Sequence, residues 1–453
     1  MKWWLILLRI YILVQKINQF CLGIQYSTKS TLKQLKFVHT ADLHLDTPFK
    51  GLSQWNPELA ERLKDSTYRA LINIIDLCIK EKADFLLVAG DVFDSENASL
   101  AAQIRFINEL QRLTAQRIPV YFICGNHDHL DAWDNSFTLP DGAYRFGSSG
   151  VEKFTHSRDG EPVADIYGIS YQSAHINHSL VPLYRKGENT APVSIAMLHG
   201  MADVIGHDEK YAPFALRELL ENPFDYWALG HVHKRVVLND DPPVVYPGVP
   251  QGRDFGETGE KGCYIVEVFA GGRTSLEFVP VHHIRFEEAE IDLTATDDIS
   301  TFNSSIDKAL GNLMNTDEAE RIILRIKLTG RTRLHRMLNR PGEIEHITAD
   351  LNSRYSGGDG FPVIDSIEVL TRPAVDTGLL AGRTDFIGGL VRNIERYEAD
   401  NEMLEELIER ISRELPSSKI FRETGELSPE QKQIILQKAK WLLLDKLDDE
   451  FTE

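Results

Sequence analysis

The sequence predicts an α/β protein: a layered core with helices on its outer faces, followed by a smaller α+β domain and a helical tail. Three observations predict this fold class. Short apolar runs alternate with helix-like stretches from residue 35 to about 280, as in strand–helix units. Some of these runs, such as Phe85 to Ala89, are almost continuously apolar, which indicates strands covered on both faces. Beyond residue 286 the composition becomes more polar and then strongly helical.

Six apolar runs are predicted to be strands of the core. They are 36–40, 84–90, 118–124, 164–170, 193–199 and 225–230. Two helices are predicted at 57–82 and 99–116, because their apolar residues recur at intervals of three and four residues, as at Leu71, Ile74 and Ile75. The core is therefore expected to span residues 35–280.

Residues 281–375 are predicted to form the separate α+β domain, and residues 376–453 the helical tail. Strands are expected at 321–328 and 364–370. In the tail, apolar residues from 387 to 415 form one helical stripe opposite charged residues. A last helix is predicted to begin at 428-SPEQ-431, where Ser428 is the cap, proline follows, and Gln431 lies three residues after the cap.

The first 34 residues differ from the rest of the chain. The segment 3-WWLILLRIYILV-14 is apolar and follows Lys2, so it resembles a short signal or anchor segment, although it is too short to span a bilayer comfortably. The alternative is a mis-annotated start, with translation beginning near Leu35, where the first strand is expected.

The chain is acidic, with 49 Lys and Arg against 68 Asp and Glu, a formal net charge of −19. This charge argues against general attraction to nucleic acid or anionic membranes, so a polyanion would need a local basic patch or metal ions. The four cysteines lie far apart without a CxxC pair, which favours reduced thiols in the cytoplasm over a disulfide frame.

Metal-ligand side chains follow five of the predicted strands. The strand ends read Asp42-Leu-His44, Gly90-Asp91, Gly125-Asn126-His127-Asp128, His199-Gly200 and Gly230-His231-Val-His233. In open α/β sheets, ligands bind at the loops that follow the carboxyl ends of strands. Carboxylate, imidazole and amide oxygen without thiolate suit a pair of divalent cations. Seven side chains are thus candidate ligands: Asp42, His44, Asp91, Asn126, His199, His231 and His233.

Each motif also has an ordinary structural interpretation. A single Asp-x-His at a strand end is more often a cap or a solvated turn, and Gly-Asn-His-Asp can be a turn with satisfied polar groups. The occurrence of all five in this order favours a metal site. Glycines at 90, 125, 200 and 230 are expected where the backbone turns sharply or approaches another chain segment closely.

The ordered series D-x-H, G-D, G-N-H-D, H-G and G-H-x-H resembles that of the calcineurin-like metallophosphoesterases, over about residues 35–270. The segments 37-FVHTADLHLDTPF-49, 88-VAGDVFD-94, 229-LGHVHK-234 and 246-YPGVPQGRDFGETGEKGCYIVEV-268 further resemble the DNA-repair exonuclease branch, the SbcD and Mre-type nucleases and the YhaO family. Val249 and Asp254 depart from the Asn and His that relatives usually have there. The resemblance implies a β-sandwich metallophosphoesterase core.

The resemblance also implies roles for individual residues. Asp42, His44, Asp91 and His233 would hold one metal, and Asp91, Asn126, His199 and His231 the second, with Asp91 bridging. His127 matches the histidine that donates a proton or stabilises the phosphate, and Asp128 is expected to orient its ring. Asp94 stands where Mre-type relatives often have a second histidine. Two divalent ions, with Mn²⁺ the family expectation, would activate water for hydrolysis of a phosphodiester.

In the resembled nucleases a cap domain contacts DNA and helices beyond it bind an SMC-like coiled-coil ATPase. The segment 321–340 carries seven basic residues and no acidic ones, and its candidate DNA contacts are Arg325, Lys327, Arg331, Arg333 and Arg336. A solvated basic surface with acidic partners is the alternative for this segment, and packing on its own domain is the alternative for the tail. A homodimer is a further possibility.

The function predicted from these features is a metal-dependent DNA exonuclease or endonuclease, cytoplasmic and active in DNA repair. Two alternatives stay open: a phosphodiesterase or phosphatase for a small substrate, and a mainly architectural subunit that binds DNA ends.

Overall fold

A computed structural model of the chain describes residues 33–47, 57–94, 99–130, 133, 138–187, 191–206, 210–269, 272–294, 296–314, 321–355, 362–374, 377–414 and 428–450. The chain divides into two compact units between Glu287 and Glu288. The apolar segment near the amino terminus, with its two interpretations, lies outside the described residues.

The first unit contains two six-stranded sheets. Its strands are β1 (Lys33–Thr40), β2 (Phe85–Ala89), β3 (Val120–Ile123), β4 (Ala143–Arg145), β5 (Glu152–Arg158), β6 (Glu161–Gly168), β7 (Val193–His199), β8 (Tyr226–Gly230), β9 (Val236–Asp240), β10 (Pro243–Tyr246), β11 (Gly262–Phe269) and β12 (Thr274–Pro280). Its helices are α1 (Pro57–Glu81), α2 (Leu100–Thr114) and α3 (Leu216–Leu220). The six predicted strands and the two predicted helices are all present.

Parallel strands form the centre of both sheets. The first sheet has the order β12-β11-β1-β2-β3-β4, and β1 to β4 run parallel. The second has the order β5-β6-β7-β8-β10-β9, and β6, β7, β8 and β10 run parallel. Antiparallel strands lie outside this parallel set: β11 and β12 in the first sheet, β5 and β9 in the second.

Three apolar layers hold the two sheets and the helices together. The layer between the sheets includes Phe37, Phe85 and Tyr226, all fully buried. A second layer joins the first sheet to α1 and α2, through residues such as Ile74 and Phe106. A third covers the outer face of the second sheet. Strands buried on both faces explain the continuous apolar runs of the sequence, and the predicted layered α/β core with a β-sandwich at its centre is confirmed.

The second unit begins within β13 (Arg285–Asp292). It continues with α4 (Ile299–Met314), β14 (Ile322–Thr329), β15 (Arg331–Thr332), α5 (His335–Leu338), α6 (Glu343–Tyr355), β16 (Val363–Val369) and β17 (Arg372–Pro373). A three-stranded sheet has the order β13-β14-β16, and β15 pairs with β17. Buried residues such as Ile306, Leu324 and Leu351 form its core.

The tail contains α7 (Thr377–Ala381), α8 (Phe386–Ala399), α9 (Asn401–Glu414) and α10 (Pro429–Glu450). The stripe predicted from 387 to 415 forms two helices over its described residues, which end at Glu414, because Asp400 is extended and its carboxylate accepts hydrogen bonds from the amides of Glu402 and Met403. The predicted start of the last helix is confirmed: Ser428 and Gln431 exchange hydrogen bonds between side chain and backbone amide.

A search of the described helices finds none that is both long and apolar enough to cross a membrane.

Candidate dinuclear metal centre

The strand-end loops converge at one edge of the first unit. The amide of Asp42 donates to the carbonyl of Gly90 at 3.0 Å, and the amide of His44 donates to the carbonyl of Asp91 at 3.1 Å. These bonds join the loops that follow β1 and β2. The carboxylate of Asp42 accepts from the amide of His231 at 3.0 Å, which joins the first sheet to the end of β8 in the second. The seven candidate ligands are thus brought to one place.

Four of these residues have a left-handed backbone. The φ angles are 52° at Asp42, 43° at His44, 50° at Asp91 and 97° at His231. Residues other than glycine rarely adopt positive φ, and such strained positions cluster at functional sites, where the surrounding structure enforces them. Here the hydrogen bonds between the loops hold the backbone in this conformation.

Glycines let the strand ends approach each other closely. A Cβ on Gly125 would lie 2.2 Å from Oδ1 of Asp91, and a Cβ on Gly230 would lie 1.8 Å from the carbonyl oxygen of Ala89. Added Cβ atoms at Gly90 and Gly200 would also meet atoms closer than 3.0 Å. The expectation of close approach at all four glycines is confirmed.

The first cluster of ligand atoms consists of Asp42, His44 and His233, whose atoms lie within 4.8 Å of one another. Nε2 of His44 lies 3.1 Å from Nε2 of His233. Nδ1 of His233 lies 2.7 Å from Oε1 of Glu257 and therefore carries that ring's hydrogen, whereas Nδ1 of His44 lies 3.1 Å from Oδ1 of Asp94, within ion-pair distance. The lone pair on Nε2 of His233 thus points at His44, where either a hydrogen on the facing nitrogen or a metal cation beside both rings satisfies it. The residues present fit a metal.

The second cluster consists of Asp42, Asp91 and His199. Oδ2 of Asp91 lies 3.4 Å from Nε2 of His199 and 3.8 Å from Nε2 of His44, a position between the two clusters that suits a bridging carboxylate. Nδ1 of His199 donates to the carbonyl of Ala89 at 2.9 Å, so its Nε2 points into the site. Asp42 also belongs to this cluster, whereas the resemblance assigns it to the first metal alone.

Asn126 and His231 complete the second cluster. Oδ1 of Asn126 lies 3.1 Å from Nε2 of His199 and 3.1 Å from Nδ1 of His231. A single amide oxygen between two ring nitrogens brings three of the four predicted ligands of the second metal together. Amide oxygen, imidazole and carboxylate are a donor set that borderline divalent cations accept.

Burial and neighbouring charges shift the pKa values of this site in opposite directions. Burial raises the pKa of Asp42 to about 6. Burial also acts to raise the pKa of Asp91, but the charge and hydrogen bond of His199 outweigh it and hold the pKa below its ordinary value. Burial lowers the pKa of His231 to about 3, whereas for His199 the effect of burial is exceeded by Asp91, which raises its pKa to about 9. Opposed shifts among buried groups are typical of a functional site.

His127 is exposed beside the clusters. Its amide donates to Oδ1 of Asp91 at 3.0 Å, and its Nδ1 donates to the backbone carbonyl of Asp94 at 2.9 Å. The expectation that Asp128 orients this ring is wrong. Both oxygens of the buried Asp128 accept from backbone amides, those of Gly125 at 2.8 Å and Val92 at 3.0 Å, so its carboxylate fixes the loops instead.

The supporting roles of three charged residues beside the first cluster, Asp94, Arg253 and Glu257, were not predicted from the sequence. Arg253 donates to Asp94 at 2.8 Å and to Glu257 at 2.9 Å, the two carboxylates that face His44 and His233. Carboxylates that hold the far nitrogen of a ligating histidine fix its tautomer and orientation. Arg253 lay within a quoted motif, but nothing in its spacing showed that it would reach back 159 residues to Asp94.

The two departures from the resembled motif have local explanations. Val249 is buried, and Asp254 accepts a hydrogen bond from the amide of Gly256 at 2.7 Å within the same turn.

In the second unit, most of the basic residues predicted to contact DNA have partners within the chain. Lys327 pairs with Glu288 at 2.6 Å, and Arg325 lies 3.6 Å from Glu288 and 3.7 Å from Asp365. Arg333 lies 3.6 Å from Asp297, and Arg331 stacks 3.9 Å above the ring of Trp441. Arg336 is exposed. All five side chains therefore lie in one unit, but four of them already contact other residues of that unit.

Two family models match the chain. A calcineurin-like phosphoesterase model matches residues 35–235, which contain all seven candidate ligands. A model described as the middle domain of metallophosphoesterase YhaO matches residues 286–372, the sheet and helices at the start of the second unit.

Curated proteins match as well. The metallophosphoesterase YhaO of Bacillus subtilis is 34% identical over 410 residues, which cover 90% of this chain and 98% of that protein. The DNA double-strand break repair protein Mre11 of Thermoplasma acidophilum is 25% identical over 65% of this chain and 76% of that protein. Mre11 of Sulfurisphaera tokodaii is 28% identical over 46% of this chain and 52% of that protein.

Near full-length similarity, two matching family models and a site suited to two divalent metals lead to one conclusion. The chain belongs to the YhaO family of calcineurin-like metallophosphoesterases and is a metal-dependent phosphodiester hydrolase.

Proposed function

We propose that this protein is a DNA nuclease that acts in DNA repair together with an SMC-like coiled-coil ATPase. The observation that carries the proposal is the pair of adjacent ligand clusters with the carboxylate of Asp91 between them, which suits hydrolysis of a phosphodiester. The similarity to Mre11 proteins, which are named for DNA double-strand break repair, supports DNA as the substrate.

Asp42, His44, Asp91 and His233 would hold one metal, and Asp91, Asn126, His199 and His231 the other. When bound, two divalent cations lower the pKa of water and neutralise phosphate oxygens. We infer Mn²⁺ from the family resemblance. Glu257, itself held by Arg253, keeps the imidazole of His233 in the tautomer whose Nε2 faces the site, and Asp94 lies 3.1 Å from Nδ1 of His44.

His127 is the proposed catalytic residue. Because its Nδ1 donates to the carbonyl of Asp94, Nε2 is the ring atom left for the substrate; in the imidazolium form its N–H would stabilise charge on the phosphate or pass its proton to the leaving alkoxide, which leaves the neutral ring. Its exposure at the edge of the clusters gives a substrate access to that nitrogen.

We propose that the second unit binds both partners, DNA and the ATPase. Residues 281–375 would form the DNA-binding cap, using Arg325, Lys327, Arg331, Arg333 and Arg336 after exchange of their internal ion pairs for phosphate. Residues 376–453 would bind the ATPase. The apolar side chains Ile434, Ile435, Leu442 and Leu443 on α10 are exposed, which supports a binding face on that helix. A homodimer and a cytoplasmic location follow from the family resemblance alone.

The internal ion pairs of Arg325, Lys327 and Arg333 favour one second candidate, a phosphodiesterase for a small substrate. Such an enzyme needs no DNA-binding surface, and paired cations are consistent with that.

Digestion of end-labelled single- and double-stranded DNA in the presence of Mn²⁺ tests the proposal. Wild-type protein is expected to degrade DNA, and Asp91→Asn to abolish degradation. Hydrolysis of a small chromogenic diester without any cleavage of DNA, across metals and salt concentrations, would favour the small-substrate enzyme. DNA-repair function that survives His127→Ala would favour an architectural role.

A further inference from the structure

A basic pocket lies beside the first cluster of ligand atoms. Its volume is about 300 Å³, and its lining includes His233, Lys234, Arg235, Lys261 and Phe278. His233 is at once a candidate metal ligand and a wall of this pocket. The pocket therefore borders the first cluster of ligand atoms at this residue.

The three cations of the pocket are available to an anion. Among the described residues, no carboxylate lies within ion-pair distance of Lys234, Arg235 or Lys261, although Glu260 also lines the pocket. Arg253, a few residues away, instead has two carboxylate partners. Three cations against one lining carboxylate, Glu260, give this concave surface a local excess of positive charge in an otherwise acidic chain.

The pocket is held in shape by its own walls. The guanidinium of Arg235 lies 3.7 Å above the ring of Phe278. A Cβ on Gly248 would meet the carbonyl oxygen of His233 at 2.7 Å and the amide nitrogen of Arg235 at 2.9 Å, so the turn before Val249 packs tightly against this segment. Burial lowers the pKa of Lys261; Glu257 and Glu287 act to raise it, and Arg235 and Lys234 to lower it, so charges of both signs lie near this lysine.

We propose that this pocket binds a second, non-scissile backbone phosphate of a DNA strand whose scissile phosphate lies at the metal clusters. The inference rests on the proposed nuclease function and adds how the site would select a polynucleotide. A diester with one phosphate would contact only the metal clusters, whereas a DNA strand would also place a second phosphate in the pocket. Because the aromatic face of Phe278 is already covered by Arg235, the pocket offers charge rather than a stacking surface, and it discriminates little between bases.

The test compares the metal-loaded full chain with the double variant Lys234→Ala/Lys261→Ala. Lys80→Ala is the matched control, since Lys80 is an exposed lysine in the last turn of α1, near the amino ends of the strands. Binding of single-stranded oligonucleotides is measured by fluorescence anisotropy across salt concentrations, and hydrolysis is measured on the same oligonucleotides and on bis(p-nitrophenyl) phosphate.

The double variant is expected to bind DNA more weakly for every base sequence, with the slope of log K against log salt reduced by about one. Its kcat/KM should fall more for DNA than for the one-phosphate diester, mainly through KM. Lys80→Ala should match wild type in both measurements.

Distinct outcomes separate the two proposals. If wild type binds DNA through the pocket but does not cleave it, the nuclease function is overturned, whereas the claim that the pocket binds a phosphate is kept. If wild type cleaves DNA and the double variant keeps its salt slope, the pocket is overturned and the nuclease stands. Equal losses on DNA and on the small diester would also overturn the pocket, because they would indicate damage to the metal clusters.

Discussion

Asp91 shows how a single side chain serves several parts of the site. Its Oδ1 accepts the amide of His127 at 3.0 Å, while its Oδ2 lies between Nε2 of His44 and Nε2 of His199. Its backbone, directly after β2, is left-handed, with a φ of 50°. The contacts of Asp91 with three neighbouring residues thus offset the strain of its backbone.

Arg253 is predicted to control metal affinity without touching the metals. Arg253→Gln removes the charge that holds Asp94 and Glu257, which face the two histidines of the first cluster. We expect Mn²⁺ affinity to fall by about 10–100-fold, as is usual for residues that support ligands. Isothermal titration with Mn²⁺ measures this directly. Arg273→Gln, an exposed arginine in the same unit, is the control, and an unchanged affinity for Arg253→Gln would refute the role.

Gly125 is predicted to tolerate no side chain. In Gly125→Ala the new Cβ would lie 2.2 Å from Oδ1 of Asp91 and 2.8 Å from the ring of His199, so one of these must move. We expect loss of phosphodiester hydrolysis and a decrease of about 1–3 kcal/mol in the free energy of unfolding, the usual cost of overpacking. Gly150→Ala, where a Cβ meets no atom within 4 Å, should keep both properties. Wild-type hydrolysis by Gly125→Ala would contradict the geometry of the site.

At this scale, residue type and position relative to a strand end were enough to nominate the seven candidate ligands, because parallel strands must deliver their ends to one edge. The partners of those ligands were not predictable in the same way. The contact of Arg253 with Asp94 depends on how the loop after β10 folds back, and the partners of Asp128 depend on backbone amides that no sequence pattern marks.

Among the elements, six strands of the two parallel sets were predicted, whereas the parallel strands β4 and β10 and several exposed strands were not. β2 and β7 are buried at every position and appear in the sequence as unbroken apolar runs. β5 is largely exposed, and most positions of β9 are only half-buried, so both lack that pattern. In the tail, the apolar stripe continued through Asp400, and its capping hydrogen bonds decided where the helix broke.

Helix α10 offers a matched pair of leucines that tests the proposed partner surface. Leu442 is 64% exposed, whereas Leu444 is 3% exposed and packs with Ile387 and Val391. Leu444→Ala should lower the free energy of unfolding by about 2–5 kcal/mol. Leu442→Ala should change it by less than about 0.5 kcal/mol but weaken binding to the coiled-coil base of an SMC-like ATPase by about 1 kcal/mol or more.

Chemical denaturation and a binding titration with that coiled-coil fragment measure the two effects. A Leu442→Ala variant that is as stable as wild type and binds the fragment equally well would remove this face of α10 from the proposed interface.

For the whole molecule, the metals are expected to add stability to a site that strains its own backbone. Metal ions bind the folded ligands but not the unfolded chain in that geometry, and a site at 100 times its dissociation constant gains about 2.7 kcal/mol. Mn²⁺ should therefore raise the unfolding temperature of wild type, and excess EDTA should reverse the increase. Asp91→Asn should show a much smaller increase. An equal increase in both proteins would indicate metal binding elsewhere.

The number of metal ions bound per chain tests the central claim most directly. Metal-depleted protein is equilibrated with Mn²⁺, freed of unbound metal and analysed for metal content alongside Asp91→Asn. The two clusters, with the carboxylate of Asp91 between them, predict close to two ions per wild-type chain and a clear loss in the variant. One ion or none in wild type, or two ions retained by Asp91→Asn, would contradict a dinuclear centre at these strand ends.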